Sequence, residues 1–487
     1  MKICFINISE YPIPFWNLAS LITNVKKDGH WVSLLDLTFI RENCRAKHVM
    51  DTIEKERPDI ITFSQFSQWH VKLSEAIKRK FNNTLVAWGG GYVTLFSEEV
   101  ISYPTVDAIC IGEGEITFVE YLRCLERAQA PNVPGMWYKK NGAIIQNRLR
   151  SNIDNLDSLS IPEWDGWDIE RYLKVCPRIE GGMYFVASKG CPYNCSFCGR
   201  CVEYAVTPGE KYRVRSASQV VDEISLFKDK YWSKGFRYVL FWDEIFGLDQ
   251  KQFTDFTDLY IKRGLSKKVP WLCQTRPEVI TEDWAKKASQ SGCFLVELGL
   301  ETANERMRMD VYKKEFTNRT FKKATEYLKK YNIQFLVLLI IGGPHDSYRD
   351  IFSSIKFSRK LSPLSYCLST FHALAGTSLF KKCSEERLFK TQGTKSCSVR
   401  PKGTNPIFLL PVIYLVKLQK LIFIFKKGLS LMKQSFALSF LKTFLNIKNA
   451  RQVKIFSEYI VMVSMERIIL RYYAEQKSRK DANNLSS

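Results

Sequence analysis

No run of about 20 uncharged apolar residues, the length a bilayer-spanning helix needs, occurs in the 487-residue sequence. The best candidate lies near the C-terminus, where Lys417 and Lys420 interrupt it and leave only the 14 residues from Gly403 to Val416 without a charge. The opening residues, MKICFINISEYPIPFW, lack a basic start, an apolar core and a small-residue cleavage site, so no secretory leader is expected. Fourteen cysteines in a chain of this size are too sparse for a disulfide scaffold. A cytoplasmic protein with reduced thiols is therefore expected, with Cys4, Cys110 and Cys293 as small core residues in apolar runs. Internal repeats and low-complexity tracts are absent as well.

The composition that remains, 45% hydrophobic and 25% charged, is that of an ordinary globular protein. The length predicts roughly two to four domains. The net charge of +22 is uneven: from Lys381 to Ser487 there are 21 Lys and Arg against 6 Asp and Glu. The rest of the chain is only mildly basic, which argues against a nucleic-acid coat.

In residues 1–130, KICFINI, WVSLLDL, DIITFS, TLVAWGG and AICIGEGE read as five strands alternating with amphipathic stretches such as VKLSEAIKRKF. This pattern predicts a doubly wound parallel sheet with a ligand crevice at the strand ends, where Gly89, Gly90, Gly91, Gly112 and Gly114 gather. Residues 131–180 read as a linker with one hairpin at Asn141-Gly142. A second series follows over 181–383: MYFVAS, RYVLFW, VPWLCQT, FLVELGL, FLVLLII and SYCLST. Six successive βα units predict a partial (β/α)6 barrel, with its chemistry at the strand C-terminal ends. Residues 384–487 read as a basic, mostly helical region. One reading is a helical cap with a solvated basic face, the other an interfacial helix on anionic lipid.

Directly after the first strand of the second series comes GCPYNCSFCGRC, with four cysteines between Cys191 and Cys201. A Cys₄ zinc site normally takes two separated pairs, and a ferredoxin-type run has a different spacing and a remote ligand. The third reading uses Cys191, Cys195 and Cys198 alone, and leaves one iron of a four-iron cluster without a protein ligand.

CPYNCSFC resembles the signature of the radical SAM superfamily, including the aromatic Phe197 before the last cysteine. The resemblance implies a [4Fe–4S] cluster at Cys191, Cys195 and Cys198 whose open iron chelates S-adenosylmethionine (SAM). It also implies reductive cleavage to a 5′-deoxyadenosyl radical, with electrons from a donor such as flavodoxin or ferredoxin. Phe197 and, downstream, the strand ends FWDEIF with Asp243 and Glu244, CQTRPE with Arg276, ELGLET with Glu297 and Glu301, and LLIIGGPHDS, where Gly342 and Gly343 let backbone approach a ligand closely, resemble the parts that bind SAM in that family. A carboxylate suits the methionyl ammonium, a donor that needs an acceptor.

RPDIITFS, VAWGGGYVTLFSEEV and VDAICIGEGEITFVEYL resemble the cobalamin-binding domain that precedes many radical SAM domains. The two resemblances cover about residues 1–385. The D-x-H-x-x-G loop of some cobalamin proteins is missing, and none of the five histidines (30, 48, 70, 345, 372) lies in such a context. His70 is either a pocket residue or a helix-start histidine. The implied cofactors are the cluster, SAM and cobalamin. The implied reaction is methylation of an unactivated carbon in a lipid or natural-product intermediate lying between the two domains. The alternatives are radical cyclisation, coupling or rearrangement with the first domain as scaffold, and a non-enzymatic metal-binding protein that docks on membranes.

Overall fold

In a computed structural model, which describes residues 1–9, 12–389 and 396–398, each of the expected apolar runs forms a strand. The first sheet comprises β1 (Lys2–Asn7), β2 (Trp31–Asp36), β3 (Ile60–Phe63), β4 (Leu85–Trp88), β5 (Ala108–Cys110), β6 (Met136–Lys140) and β7 (Ala143–Gln146), in the order β2-β1-β3-β4-β5-β6-β7. The first five strands are parallel, and β3 is buried at every residue, as a strand covered on both faces requires. The order reverses between β1 and β3, so the crevice at the C-terminal strand ends opens there.

Residues 131–180, expected as a linker, are ordered and anchored: β7 is exposed, but Val133, Met136, Ile153, Leu156 and Leu159 are buried. The β6–β7 hairpin turns at Asn141 and Gly142, both at positive φ, and extends the first sheet antiparallel to β5. Farther on, Trp164, Trp167, Ile169, Tyr172 and Leu173 are buried in the same apolar core as Phe185 and Phe227. The Tyr172 hydroxyl also donates to Asp36 at 2.7 Å. The polar, Pro-containing frame of SLSIPEWDGWD hid these anchors; each buried aromatic contributes about 2–3 kcal/mol.

The second sheet begins with β8 (Gly182–Phe185). A short hairpin follows, β9 (Ser188–Lys189) with β10 (Arg213–Val214). Then come β11 (Tyr238–Phe241), β12 (Trp271–Thr275), β13 (Cys293–Glu301), β14 (Gln334–Ile341) and β15 (Ser365–Thr370). The six long strands are all parallel, in the order β15-β14-β13-β12-β11-β8. Tyr184, Leu240, Leu272, Leu295 and Leu336, one from each of five neighbouring strands, form a layer on one face together with Ile13 from the first domain. Their neighbours Met183, Phe185, Val239 and Phe241 join the large core that runs continuously into the first domain. Among the described residues no helix is long and apolar enough to cross a membrane. Most of the basic region 384–487 lies outside the described residues.

Candidate active site

The cysteine loop leaves the barrel through the β9–β10 hairpin. Gly190 has φ +90°, and a Cβ there would overlap the Lys211 carbonyl oxygen, so the turn requires glycine. At the tip, Ser196 donates its N–H to the Tyr312 carbonyl (3.0 Å) and its hydroxyl to the Val311 carbonyl (2.5 Å). Phe197, expected beside SAM, meets Tyr312 edge-on at 5.3 Å and packs on an apolar cluster with Phe371 and Leu379. Its visible contribution is to anchor the loop.

Cys198 is the N-cap residue of the helix Gly199–Val206. A hydrogen bond from the Cys201 thiol, with the Cys201 and Arg200 N–H groups, pulls the Cys198 thiol down to about 6 and pushes Cys201 up in turn. Burial pushes Cys191 up to about 11 and Cys195 upward. Cys195 faces two cations: Arg276 Nη1 lies 3.7 Å from its sulfur, and Lys314 lowers its thiol pKa electrostatically. The Arg276 guanidinium stacks 3.7 Å from the Tyr193 ring centre and pairs with Glu278 at 2.6 Å. Three thiols with two cations at hand suit a cluster, which takes one thiolate per iron and carries negative charge once ligated. Among the described residues no group of three or more His, Cys, Asp or Glu is arranged to hold a single metal ion.

Asp243 and Glu244, adjacent in sequence, do different things. Asp243 is buried, accepts from the Ala187 N–H (3.1 Å) and the Ser188 hydroxyl (2.5 Å), and is pushed up to about 7 by burial. Glu244 is less buried and accepts from the Gly190 N–H (3.3 Å) and the Tyr204 hydroxyl (3.1 Å). Glu301 ends β13 at φ 62°, a strained conformation for a non-glycine residue, and pairs with Lys314 at 2.8 Å. Glu297 lies in mid-strand, buried and paired with Arg178 at 3.1 Å, away from the strand end where the sequence placed it. At the end of β14, Gly342 has open space around it and φ +75°, and its N–H donates to the buried Asp346 at 2.9 Å. The space beside Gly343 is taken by the Tyr312 hydroxyl, so the close approach inferred there is internal to the protein.

All five glycines singled out in the first domain line one cavity of about 340 Å³ at the C-terminal ends of β3, β4 and β5. Its far wall belongs to the second domain: Tyr184, Val186, Lys189, Arg200, Glu203, Tyr204 and Trp242. Two glycines are dictated by the fold. Gly90 at φ +94° lies against the Ser64 carbonyl oxygen, and Gly112 at φ +81° would bring a Cβ within 2.7 Å of Thr207. Gly89 and Gly114 are not sterically required, since a Cβ there meets only ordinary contacts of 3.6 Å or more. No histidine lines the cavity among the described residues. His70 sits inside the helix Gln68–Lys80, buried between Phe63, Trp69 and Trp88, with Nδ1 at 2.8 Å from Ser67 Oγ. The helix-start reading holds for it.

Sequence reasoning passed over Lys314, Tyr193, Arg200, Glu203, Tyr204 and Trp242. The one available signal was the i,i+3 pair Arg200–Glu203 on the helix that follows the cysteines, now seen at 2.8 Å. The others depend on contacts between distant segments.

Two family models match the sequence: the radical SAM superfamily over residues 185–358 and the B12 binding domain over residues 7–122. The chain is thus a radical SAM enzyme with a cobalamin-binding domain ahead of its catalytic barrel, and its cofactors are a [4Fe–4S] cluster, SAM and cobalamin. It is similar to an uncharacterized methyltransferase of Pyrococcus horikoshii, 29% identical over 357 residues that cover 72% of this chain and 73% of that one. It is also similar to the anaerobic magnesium-protoporphyrin IX monomethyl ester cyclase of Cereibacter sphaeroides, 26% identical over 68% of this chain. The match spans about half of that relative, 53% of its length. Among solved structures, the radical SAM methyltransferase TsrM of Kitasatospora setae, with cobalamin and a [4Fe–4S] cluster bound, superposes with a TM-score of 0.70 over 82% of each chain at 16% identity. At that identity the likeness shows a common fold.

Proposed function

We propose that the chain is a cobalamin-dependent methyltransferase acting on an unactivated carbon, with Cys191, Cys195 and Cys198 as cluster ligands. One observation carries this reading. The glycine loops of the first domain and the residues flanking the cysteine loop, Lys189, Arg200, Glu203 and Tyr204, wall the same cavity. The cobalamin-binding domain and the catalytic barrel thereby face one shared space. When bound, cluster and SAM supply a hydrogen-abstracting radical and cobalamin supplies the methyl group.

The chain's own residues bind, orient and exclude water. Arg276 and Lys314 offset charge beside Cys195. Glu244, the less buried carboxylate of its pair, offers an acceptor to the SAM ammonium, and Asp243 holds the backbone at Ala187 and Ser188 in place for it. Glu301, Gly342 and Gly343 close the same end of the barrel. Glu297 acts through its pair with Arg178. Gly89, Gly90, Gly91, Gly112 and Gly114 let backbone reach the flat face of cobalamin without a histidine. The acceptor is a small molecule or a lipid. The apolar aromatics Phe15, Trp16, Tyr184 and Trp242 around the cavity suit a largely apolar one.

The test is anaerobic reconstitution with iron, sulfide and hydroxocobalamin. The expected protein is brown, retains cobalamin, and converts SAM to 5′-deoxyadenosine. A Cys195→Ala variant is expected to lose colour and cleavage together. A protein that forms 5′-deoxyadenosine but never retains cobalamin overturns methyl transfer. That outcome favours the second reading, radical chemistry without methyl transfer, which the similarity to the cyclase supports.

A further inference from the structure

The hairpin at the base of the cysteine loop contains an arrangement that is unfavourable on its own. β9 and β10 pair so that Lys189 stands directly opposite Arg213, two cations facing each other across an antiparallel ladder. Both are buried, at 7% and 5% exposure. Like charges opposite one another destabilise a strand pair, and burial sharpens the penalty because little water screens them. The hairpin itself contributes no anion to offset them, since its four residues are Ser188, Lys189, Arg213 and Val214.

The anions come from the other domain. Glu113 and Glu115, in the IGEGE segment after β5, reach across the interface. Glu115 Oε1 accepts from Lys189 Nζ at 2.5 Å, and Glu113 Oε2 accepts from Arg213 Nη1 at 2.7 Å. Glu113 Oε1 also lies 3.7 Å from Lys189 Nζ, so one carboxylate stands between the two cations. Glu113 is fixed in turn by the Ile153 N–H at 2.6 Å, and the Lys189 ammonium lies 5.6 Å from the Trp16 ring centre. The network is not fully satisfied, because Glu113 Oε1 and Arg213 Nε and Nη2 find no hydrogen-bond partner. Replacing a buried charge set by apolar side chains is often neutral or stabilising, so stability alone does not account for this one.

We propose that Glu113 and Glu115 are positioning residues for the iron–sulfur loop. By neutralising the Lys189–Arg213 pair, the cobalamin-binding domain sets the base of the loop that carries Cys191, Cys195 and Cys198. Glu113 and Glu115, which follow the cobalamin-side Gly112 and Gly114, therefore act on the cluster, and cluster retention depends on the docking of the first domain. This inference rests on the cluster reading above.

The test uses the full chain reconstituted with iron and sulfide, read by iron content, by the electron paramagnetic resonance spectrum of the reduced protein and by thermal unfolding. Glu113→Gln keeps the shape and removes the charge that faces Arg213. It is expected to retain less than half the wild-type iron and to broaden the spectrum of what remains. Glu113→Gln combined with Arg213→Gln removes the stranded cation and is expected to restore both readouts, a rescue that a purely steric or cobalamin-contact role of Glu113 does not produce. If Glu113→Gln yields no folded chain, the pair Glu115→Gln and Glu115→Gln with Lys189→Gln reads the same coupling. Wild-type iron and spectrum in the single variants, or no recovery in the doubles, overturns the proposal. Absence of a cluster from the wild-type chain overturns the functional reading instead.

Discussion

The Cys201 thiol donates to the Tyr193 carbonyl oxygen at 3.0 Å, which joins the first turn of the helix Gly199–Val206 to the centre of the cysteine loop. The Cys198 sulfur is the alternative acceptor for the same thiol, whose one hydrogen serves one of the two at a time. Cys201 is thus a donor beside the three-cysteine set, and serine keeps a donor at that place. A Cys201→Ser variant is expected to retain its iron and its SAM cleavage, at a cost of about 1 kcal/mol in stability for the altered hydrogen bond. Loss of the cluster would show that four cysteines act together.

Gly190 is the tightest turn in the loop, at φ +90° against the Lys211 carbonyl oxygen. Alanine there combines left-handed strain of about 1–3 kcal/mol with a backbone overlap. Gly190→Ala is expected to lower the unfolding temperature and to leave the protein without iron. Gly264→Ala, at φ +67° in open space, carries the strain alone and is expected to keep its iron. Iron analysis of both variants checks this.

The glycine loops allow a steric control. Gly90→Ala drives a methyl group into the Ser64 carbonyl, whereas Gly89→Ala meets nothing nearer than 3.8 Å within the protein. Both are expected to weaken cobalamin retention by about tenfold or more, which corresponds to about 1.4 kcal/mol. Only Gly90→Ala is expected to lose stability as well. Visible absorption after gel filtration measures the first effect and thermal unfolding the second. Full retention in Gly89→Ala would remove that glycine from the cobalamin site.

Burial pulls His70 down to about 4. An unfolded histidine titrates near 6.5, so between these values the unfolded chain binds the extra proton. Stability is therefore flat above about pH 6.5 and falls as the pH drops toward 4, by about 3 kcal/mol in all. His70→Gln is expected to flatten this dependence between pH 4.5 and 7. Unfolding temperatures across that range, equally steep in both proteins, would contradict it.

Much of the fold was legible because apolar runs at strand length, separated by amphipathic stretches, have few alternatives to a parallel sheet. The five cavity glycines were legible for the same reason: in a doubly wound sheet the strand C-terminal ends are where ligands are held. What was not legible came from contacts across the chain. DE at 243–244 reads as one acidic pair, yet burial turns Asp243 inward onto Ala187 and Ser188 and leaves Glu244 facing Gly190 and Tyr204. Glu297 and Glu301 lie four residues apart in one motif, but only Glu301 reaches the strand end, beyond a register shift after Gly299.

The sequence by itself determined the two parallel strand series, the three-cysteine spacing and the glycine-rich crevice, because each follows from local periodicity or from residue types close together in the chain. Tertiary structure alone decided that Gly343 makes room for Tyr312, that the expected linker is an aromatic buttress, and that Glu113 and Glu115 face Lys189 and Arg213. In these cases the energetics belong to groups tens to hundreds of residues apart, whose burial and charge balance exist only once the two domains have closed on each other.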